Sequence, residues 1–235
     1  MHAVHVLDNP VWHALSGPQA TVAEGTDAAL RYDPEVSVFA AVPDDPAPAS
    51  WDALGDVVGP GGAAVVVRDV VPVPPGWTER FRMPGLQMLR DRPIDGAKGS
   101  RATLEVLRLD VADVPEIMDL VEHARPGPFA ARTIELGSYY GMRDDGALVA
   151  LAGTRMRLPG YTELSAVCTD DEHRGRGLAK VLVAHLVDEI LGRGEVACLH
   201  VVHNNTPAVR LYETLGFTTR REMDFALLGP IGASQ

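Results

Sequence analysis

Lysine is nearly missing from this chain. Only Lys98 and Lys180 stand among its 21 basic residues, and 32 acidic residues bring the formal charge to -11. That balance excludes nucleic acid as the main partner, because phosphate contacts need an excess of Lys and Arg. Cysteine is just as scarce. Cys168 and Cys198 fall inside expected strands with no paired spacing, so neither a disulfide framework nor a zinc site follows, and no metal is expected. Both read as small buried side chains. No apolar run approaches the ~20 residues of a membrane span. The opening residues MHAVHVLDNPVW lack the charged region and long apolar segment of a secretory signal. A cytoplasmic protein with no membrane partner is therefore expected. Two familiar phosphate loops are absent as well: there is no Gly-Lys-Ser/Thr and no G-x-G-x-x-G.

What is present is concentrated near residue 175. The 235-residue chain is 46% hydrophobic with a mean hydropathy of +0.01, which suits a globular protein of one or two domains. Tyr161 to Cys168 is short, apolar and β-branched, and reads as a strand. Leu178, Leu182, Leu186 and Ile190 recur every four residues, so a helix follows. Between them lies Thr169-Asp-Asp-Glu-His-Arg174-Gly175-Arg176-Gly177, a basic turn bearing two glycines. A helix start offers free N–H groups and the positive end of the dipole, and glycine lets an anion approach the backbone. The unit is a phosphate-binding device. Arg174 and Arg176, with His173 when protonated, can supply local positive potential inside an acidic chain. The acidic remainder could steer a cationic amine; solubility is the simpler explanation.

Downstream, Val196 to Val202 reads as a buried strand. Asn204-Asn205-Thr206-Pro207 then opens a short helix, with Thr206 as N-cap and Pro207 as its first residue, ending near Gly216 at a C′ position. Arg174-x-x-Gly177-x-Ala179 resembles the pyrophosphate loop of the GNAT acyltransferase superfamily, Arg/Gln-x-x-Gly-x-Gly/Ala, which binds acyl-coenzyme A. Asn205-x-x-Ala208-x-x-x-Tyr212-Glu213-x-Leu215-Gly216-Phe217 resembles the closing motif of the same superfamily. The resemblance runs from Thr103 to the end of the chain. Glu163-Leu-Ser-Ala-Val-Cys-Thr and His200-Val-Val-x-Asn look like the glycine N-acyltransferase-like branch.

Residues 1–92 differ in texture from the rest. Val4 to Leu7, Ser37 to Val42, Ala63 to Val67 and Leu86 to Leu89 read as strands, with helical stretches at Trp12 to Leu15 and Trp51 to Val58. Residues 93–102 are polar and rich in Pro and Gly, and suit a linker. From 103 to 235 the order is β-α-α-β-β-β-α-β-α-β. Tyr139 to Arg143 and Ala147 to Leu158 form an antiparallel hairpin about Asp144-Asp145-Gly146. The crossover helix at Leu178 to Leu191 makes its flanking strands parallel. This matches the GNAT fold: an α/β structure whose mixed, mostly antiparallel sheet carries helices on both faces. The region 1–92 looks like a smaller α/β, degenerate GNAT-like half. It has no pyrophosphate motif of its own, so one donor site per chain is expected.

The resemblance implies an acetyl-CoA-dependent N-acetyltransferase that moves the acyl group directly to a primary amine of a small molecule or amino acid. Strands 163–169 and 196–202 would splay apart to admit the pantetheine arm against the backbone of Val167, Cys168 and Thr169. N–H groups of Arg174, Gly175, Arg176, Gly177, Leu178 and Ala179 would cradle the pyrophosphate, and an amide at Val167 would polarise the thioester carbonyl. Tyr212 is the candidate general acid for the departing thiolate and Glu163 the candidate base; the alternatives are a Tyr packed on the sheet, a strand Glu facing solvent, and a water chain in place of a dedicated base. Asn205 either holds the cofactor or caps its own helix. Cys168 as a nucleophile with His173 or His185 has no orienting spacing behind it. His200 and His203 do not face one side as metal ligands should, and read as core or edge residues. A non-catalytic acyl-CoA-binding module and a protein N-terminal acetyltransferase are the competing functions. Acceptor identity, acyl length and a monomeric or homodimeric state stay open.

Overall fold

The computed structural model describes residues 5–95 and 104–231. Most of the expected linker 93–102, together with Val4, Lys98 and Thr103, lies outside the described residues.

Eight strands share one sheet, and two of them come from the first 92 residues. After a 3-10 turn at Val6–Asp8 the chain forms α1 (Pro10–Leu15), then the small antiparallel sheet of β1 (Ala23–Thr26), β2 (Ala29–Tyr32) and β3 (Ala40–Ala41). Helix α2 (Pro48–Val58) leads into β4 (Ala64–Arg68) and the long β5 (Trp77–Arg90). Then come β6 (Leu107–Leu109), α3 (Val114–Ala124), β7 (Tyr139–Asp144), β8 (Ala147–Leu158), β9 (Tyr161–Thr169), α4 (Leu178–Gly192), β10 (Val196–Val202), α5 (Thr206–Thr214) and β11 (Thr218–Pro230). The large sheet has the order β4-β11-β5-β10-β9-β8-β7-β6. Among the described residues β9 and β10 are the one pair of neighbouring strands in this sheet that runs parallel, as the α4 crossover dictates.

Local sequence explains much of this. Asp145 and Gly146 both take positive φ, so the β7–β8 hairpin closes through two left-handed residues, a turn whose twist matches that of the strands. The apolar stripe of α4, including Leu182, Leu186 and Ile190, packs on one face of the sheet against Met88, Ala150 and Leu199. On the opposite face Leu7, Val11, Leu15 and Phe39 from the N-terminal segments meet Met156, Leu158 and Met223. Each core therefore joins segments distant in sequence.

Several expected elements differ. Val6–Asp8 is a 3-10 turn with its capping contacts supplied by His5 and Asp8, not part of a strand. The second helix expected through Thr133 to Leu136 is a single 3-10 turn over those four residues. Strand pairing of 37–42 shrinks to Ala40–Ala41, while strand 86–89 is only the end of a fourteen-residue strand. The polar pair β1 and β2 carried no alternating pattern to signal it.

Candidate active site

The site begins where β9 leaves its neighbours. Its parallel pairing with β10 runs from Tyr161–Val196 to Leu164–Leu199 and stops there. Its register with β8 jumps from Ser165–Gly153 to Cys168–Leu151, so Ala166 and Val167 form a bulge. Ala166 holds φ at +54°, a left-handed conformation costly for a residue with a Cβ. Strain of this kind points to function. It leaves the backbone beside Val167 unpaired where β9 and β10 diverge.

The glycine turn follows directly. Asp170 accepts from the Glu172 N–H at 3.0 Å and caps a 3-10 turn over Asp171–His173. Gly175 and Gly177 then take φ of +77° and +80°, and Gly177 becomes the N-cap of α4. The first bond of that helix runs from the Val181 N–H to the Gly177 carbonyl, so the N–H groups of Leu178, Ala179 and Lys180 have no partner within the helix. Arg176 turns elsewhere: its guanidinium pairs with Asp144 at 2.7 Å and ties the turn to the β7–β8 hairpin. Its side chain supplies potential to the hairpin, contrary to the part given it with Arg174.

These elements open into a cavity of about 1040 Å³. Of the residues expected to bind the donor or to move protons, all line it except Glu163 and Arg176. Asn205 lines it and also caps α5, its Oδ1 accepting from the Ala208 N–H at 3.3 Å; the N-cap is thus Asn205 rather than Thr206. Tyr212 is buried with its ring edge-to-face with Phe217, 5.7 Å between centroids. Burial, with Cys168 nearby, lifts its phenol above the ordinary range, so the O–H stays protonated. Burial likewise pushes the Cys168 thiol up to about 12, against the pull of Arg174, which removes it as a nucleophile at neutral pH.

Glu163 lies beneath this cavity and is fully buried. Arg155 donates to both of its oxygens, from Nε at 3.1 Å and Nη2 at 2.9 Å, and His200 Nδ1 donates at 2.8 Å. Burial alone would raise the carboxyl pKa; the Arg155 charge and the His200 hydrogen bond outweigh it and hold the group down at about 2. A carboxylate so acidic, with both oxygens taken, is a poor proton acceptor. The expected base is therefore out of place, and so is the solvent-facing alternative.

The cluster extends further. Arg220 donates to Gln87 Oε1 at 2.8 Å, which turns the Gln87 amide nitrogen toward the Leu7 carbonyl and His200 Nε2, at 2.8 and 3.0 Å. His200 Nε2 is then an acceptor and its proton sits on Nδ1. The Arg155 guanidinium carbon rests 4.5 Å from the centre of the Phe39 ring. Reasoning from sequence missed Arg155, Gln87 and Phe39, and treated His200 as an ordinary core or edge residue. A buried Arg beside a buried Glu has no linear signature.

A divergent parallel strand pair, a bulge at the divergence and a glycine turn feeding a helix define an acyltransferase of the GNAT type. Comparison with known proteins agrees. The family model for FR47-like proteins matches residues 139–226. Over 115 residues the chain is 30% identical to the [ribosomal protein bS18]-alanine N-acetyltransferase of Escherichia coli K12, spanning 46% of this chain and 77% of that protein. A crystallised acetyltransferase of the GNAT family from Novosphingobium aromaticivorans DSM 12444 superposes with a TM-score of 0.85 at 39% identity, over 97% of this chain and 99% of that one. A GCN5-related N-acetyltransferase from Kribbella flavida shares the fold at 20% identity, with a TM-score of 0.61 over 94% of both chains. The chain belongs to the GNAT family and is an N-acetyltransferase of that type.

Proposed function

We propose that the chain transfers an acetyl group from acetyl-CoA to the primary amine of a small molecule. The carrying observation is the single cavity that joins the glycine turn to a wall built from the N-terminal region. Val38, Phe39 and Val65 line it together with Gly177 and Tyr212. That wall leaves a chamber suited to a small acceptor, where a protein terminus would need an open groove. The region 1–92, read as a degenerate GNAT-like half, supplies it. The strings at 163–169 and 200–204 support a place in the glycine N-acyltransferase-like branch.

In this reading the N–H groups of Leu178 and Ala179 hold the pyrophosphate and the bulge beside Val167 polarises the thioester carbonyl. The neutral amine nitrogen attacks that carbon; the C–N bond forms, the C–S bond breaks, and the amine proton leaves through cavity water. Tyr212 gives its phenolic proton to the departing thiolate, and the amine proton, carried by cavity water, restores the phenol. Glu163 takes no proton. It fixes Arg155 and His200 at the floor of the chamber, acting as a positioning residue.

A protein-terminus acceptor is the second reading, favoured by the Escherichia coli relative, which acts on a ribosomal-protein alanine. That alignment leaves more than half of this chain uncovered. Calorimetric titration with acetyl-CoA, followed by turnover of a small-amine panel beside an alanine-initiated peptide, separates the readings. Donor binding with turnover of amines alone is expected. Faster turnover of the peptide would overturn the small acceptor, and donor binding without any turnover would leave an acyl-CoA-binding module.

A further inference from the structure

Although the chain as a whole is acidic, the charged side chains that line the cavity are cationic. Among the described residues no aspartate or glutamate lines it, although the chain as a whole holds 32. Its charged lining is Arg125, Arg155, Arg174 and Lys180. Arg174 and Lys180 flank the glycine turn, where phosphates are expected. Arg155 does not belong to that end. It projects from β8 at the level of Glu163 and Leu164, beside the point where β9 and β10 part, and it lies against Phe39 of the N-terminal wall.

Arg155 is fixed but not used up. Glu163 takes its Nε and Nη2, while no hydrogen bond among the described residues takes Nη1. Among the described residues the fully buried side-chain atoms left without a partner are Asn9 Oδ1 and the Tyr139 hydroxyl. Nη1 is not one of them, so it is not sealed off, and Arg155 is part of the cavity lining. Phe39 lies against Arg155, and Val65, Phe81, Met83 and Phe225 add apolar wall to the same cavity. An ammonium entering here meets no carboxylate to replace its water. A molecule that brings its own carboxylate meets a guanidinium N–H already held in place.

We propose that the acceptor is an amine carrying a carboxylate on a largely apolar body, with Arg155 Nη1 as the group that binds the carboxylate. The inference rests on the reading of this cavity as the transfer site. Glu163 neutralises most of the Arg155 charge, so selection works through one directed, charge-assisted N–H rather than through net potential. The charge of -11 then governs solubility, not the acceptor. A purely structural Arg155 would confer no such preference.

The test uses the full chain loaded with coenzyme A, and matched probes that differ in the carboxylate alone. N-acetyl-phenylalanine and N-acetyl-leucine are titrated against N-acetyl-phenethylamine and N-acetyl-isoamylamine, with acetyl-CoA affinity measured beside them. The carboxylate members are expected to bind on the order of tenfold to a hundredfold more tightly, as one charge-assisted hydrogen bond allows. Arg155→Lys keeps a cation against Glu163 and should bring that ratio close to one with acetyl-CoA affinity unchanged. The paired substitution Arg155→Met with Glu163→Gln should do the same without a lone buried charge. Equal or tighter binding of the neutral members to the wild-type chain overturns the proposal, as does a ratio that survives Arg155→Lys or an absence of binding by both carboxylates at millimolar concentration. Loss of acetyl-CoA binding overturns the transfer reading itself, whereas acetyl-CoA binding with turnover of neutral amines sinks only the carboxylate.

Discussion

The two ends of the cavity are made from different material. The proposed donor end is backbone: a bulge at Ala166, two glycines at positive φ, and the free N–H groups that open α4. The proposed acceptor end is side chain: Arg155, Glu163, His200 and Gln87, drawn from four strands and covered by Phe39 from a fifth segment. Backbone devices tolerate variation in the residues around them, because any amide donates equally well. A side-chain cluster does not, because each member satisfies another. The acceptor end should therefore be the more fragile in folding and the donor end the more fragile in binding.

Glu163→Gln breaks the acceptor end most severely. It leaves the Arg155 cation buried against a neutral amide, and removing one partner of a buried pair costs about 3–5 kcal/mol. Urea unfolding reads the loss. The paired Arg155→Met, Glu163→Gln variant should recover most of it. Acid sharpens the same contrast. The folded-state carboxyl titrates at about 2, below its ordinary value, so its stabilising contribution is complete above the ordinary carboxylate range and fades as the pH falls toward 2. The urea midpoint of the wild-type chain should drop across that window more steeply than that of the paired variant. Parallel slopes would mean that Glu163 does not hold the charge assigned to it.

Tyr212→Phe tests the point where the two ends meet. Loss of a general acid costs about a hundredfold or more in kcat. Acetyl-CoA binding should be unchanged, since the ring and its packing on Phe217 remain. An unaltered kcat measured with a rapid-quench chemical step would remove Tyr212 from the reaction and leave it as core.

At the donor end, Gly177→Val places a β-branched residue at φ of +80°, where a Cβ costs about 1–2 kcal/mol and the added methyls crowd the amides. Acetyl-CoA affinity should fall about tenfold or more, with little change in the affinity of acceptor-side probes. A matching loss for both ligands would mean that the two ends are not separable.

The same division explains what could be read from the sequence. The glycine turn and the helix after it were legible because their parts are contiguous: Gly175, Gly177 and the period of Leu178, Leu182 and Leu186 stand within one short stretch. The hairpin at Asp145-Gly146 and the α4 crossover were legible for the same reason, each being a local rule. Glu163 was noticed, but its role was misread because Arg155 lies on the neighbouring strand and His200 across the parallel pairing. Phe39 and Gln87 gave no signal. An apolar residue in a weak strand and a glutamine in a strand look ordinary until the sheet is assembled. Ala166 gave none either, since positive φ is written in sequence by glycine or asparagine and seldom by alanine.

Phe39→Leu is the smallest of these changes and isolates the wall from the floor. Leucine keeps the apolar surface of the chamber but lacks the ring face on which the Arg155 guanidinium rests at 4.5 Å. A partly desolvated cation–π contact is worth about 0.5–2 kcal/mol. Because Glu163 already fixes Nε and Nη2, the lower part of that range is expected, as a small drop in the urea midpoint. The more telling reading is coupling. In a double-mutant cycle with Arg155→Lys, a stability term beyond the sum of the single changes shows that the ring holds the guanidinium. Additive effects would show that Phe39 merely fills space, and that Glu163 alone orients Arg155 toward the acceptor.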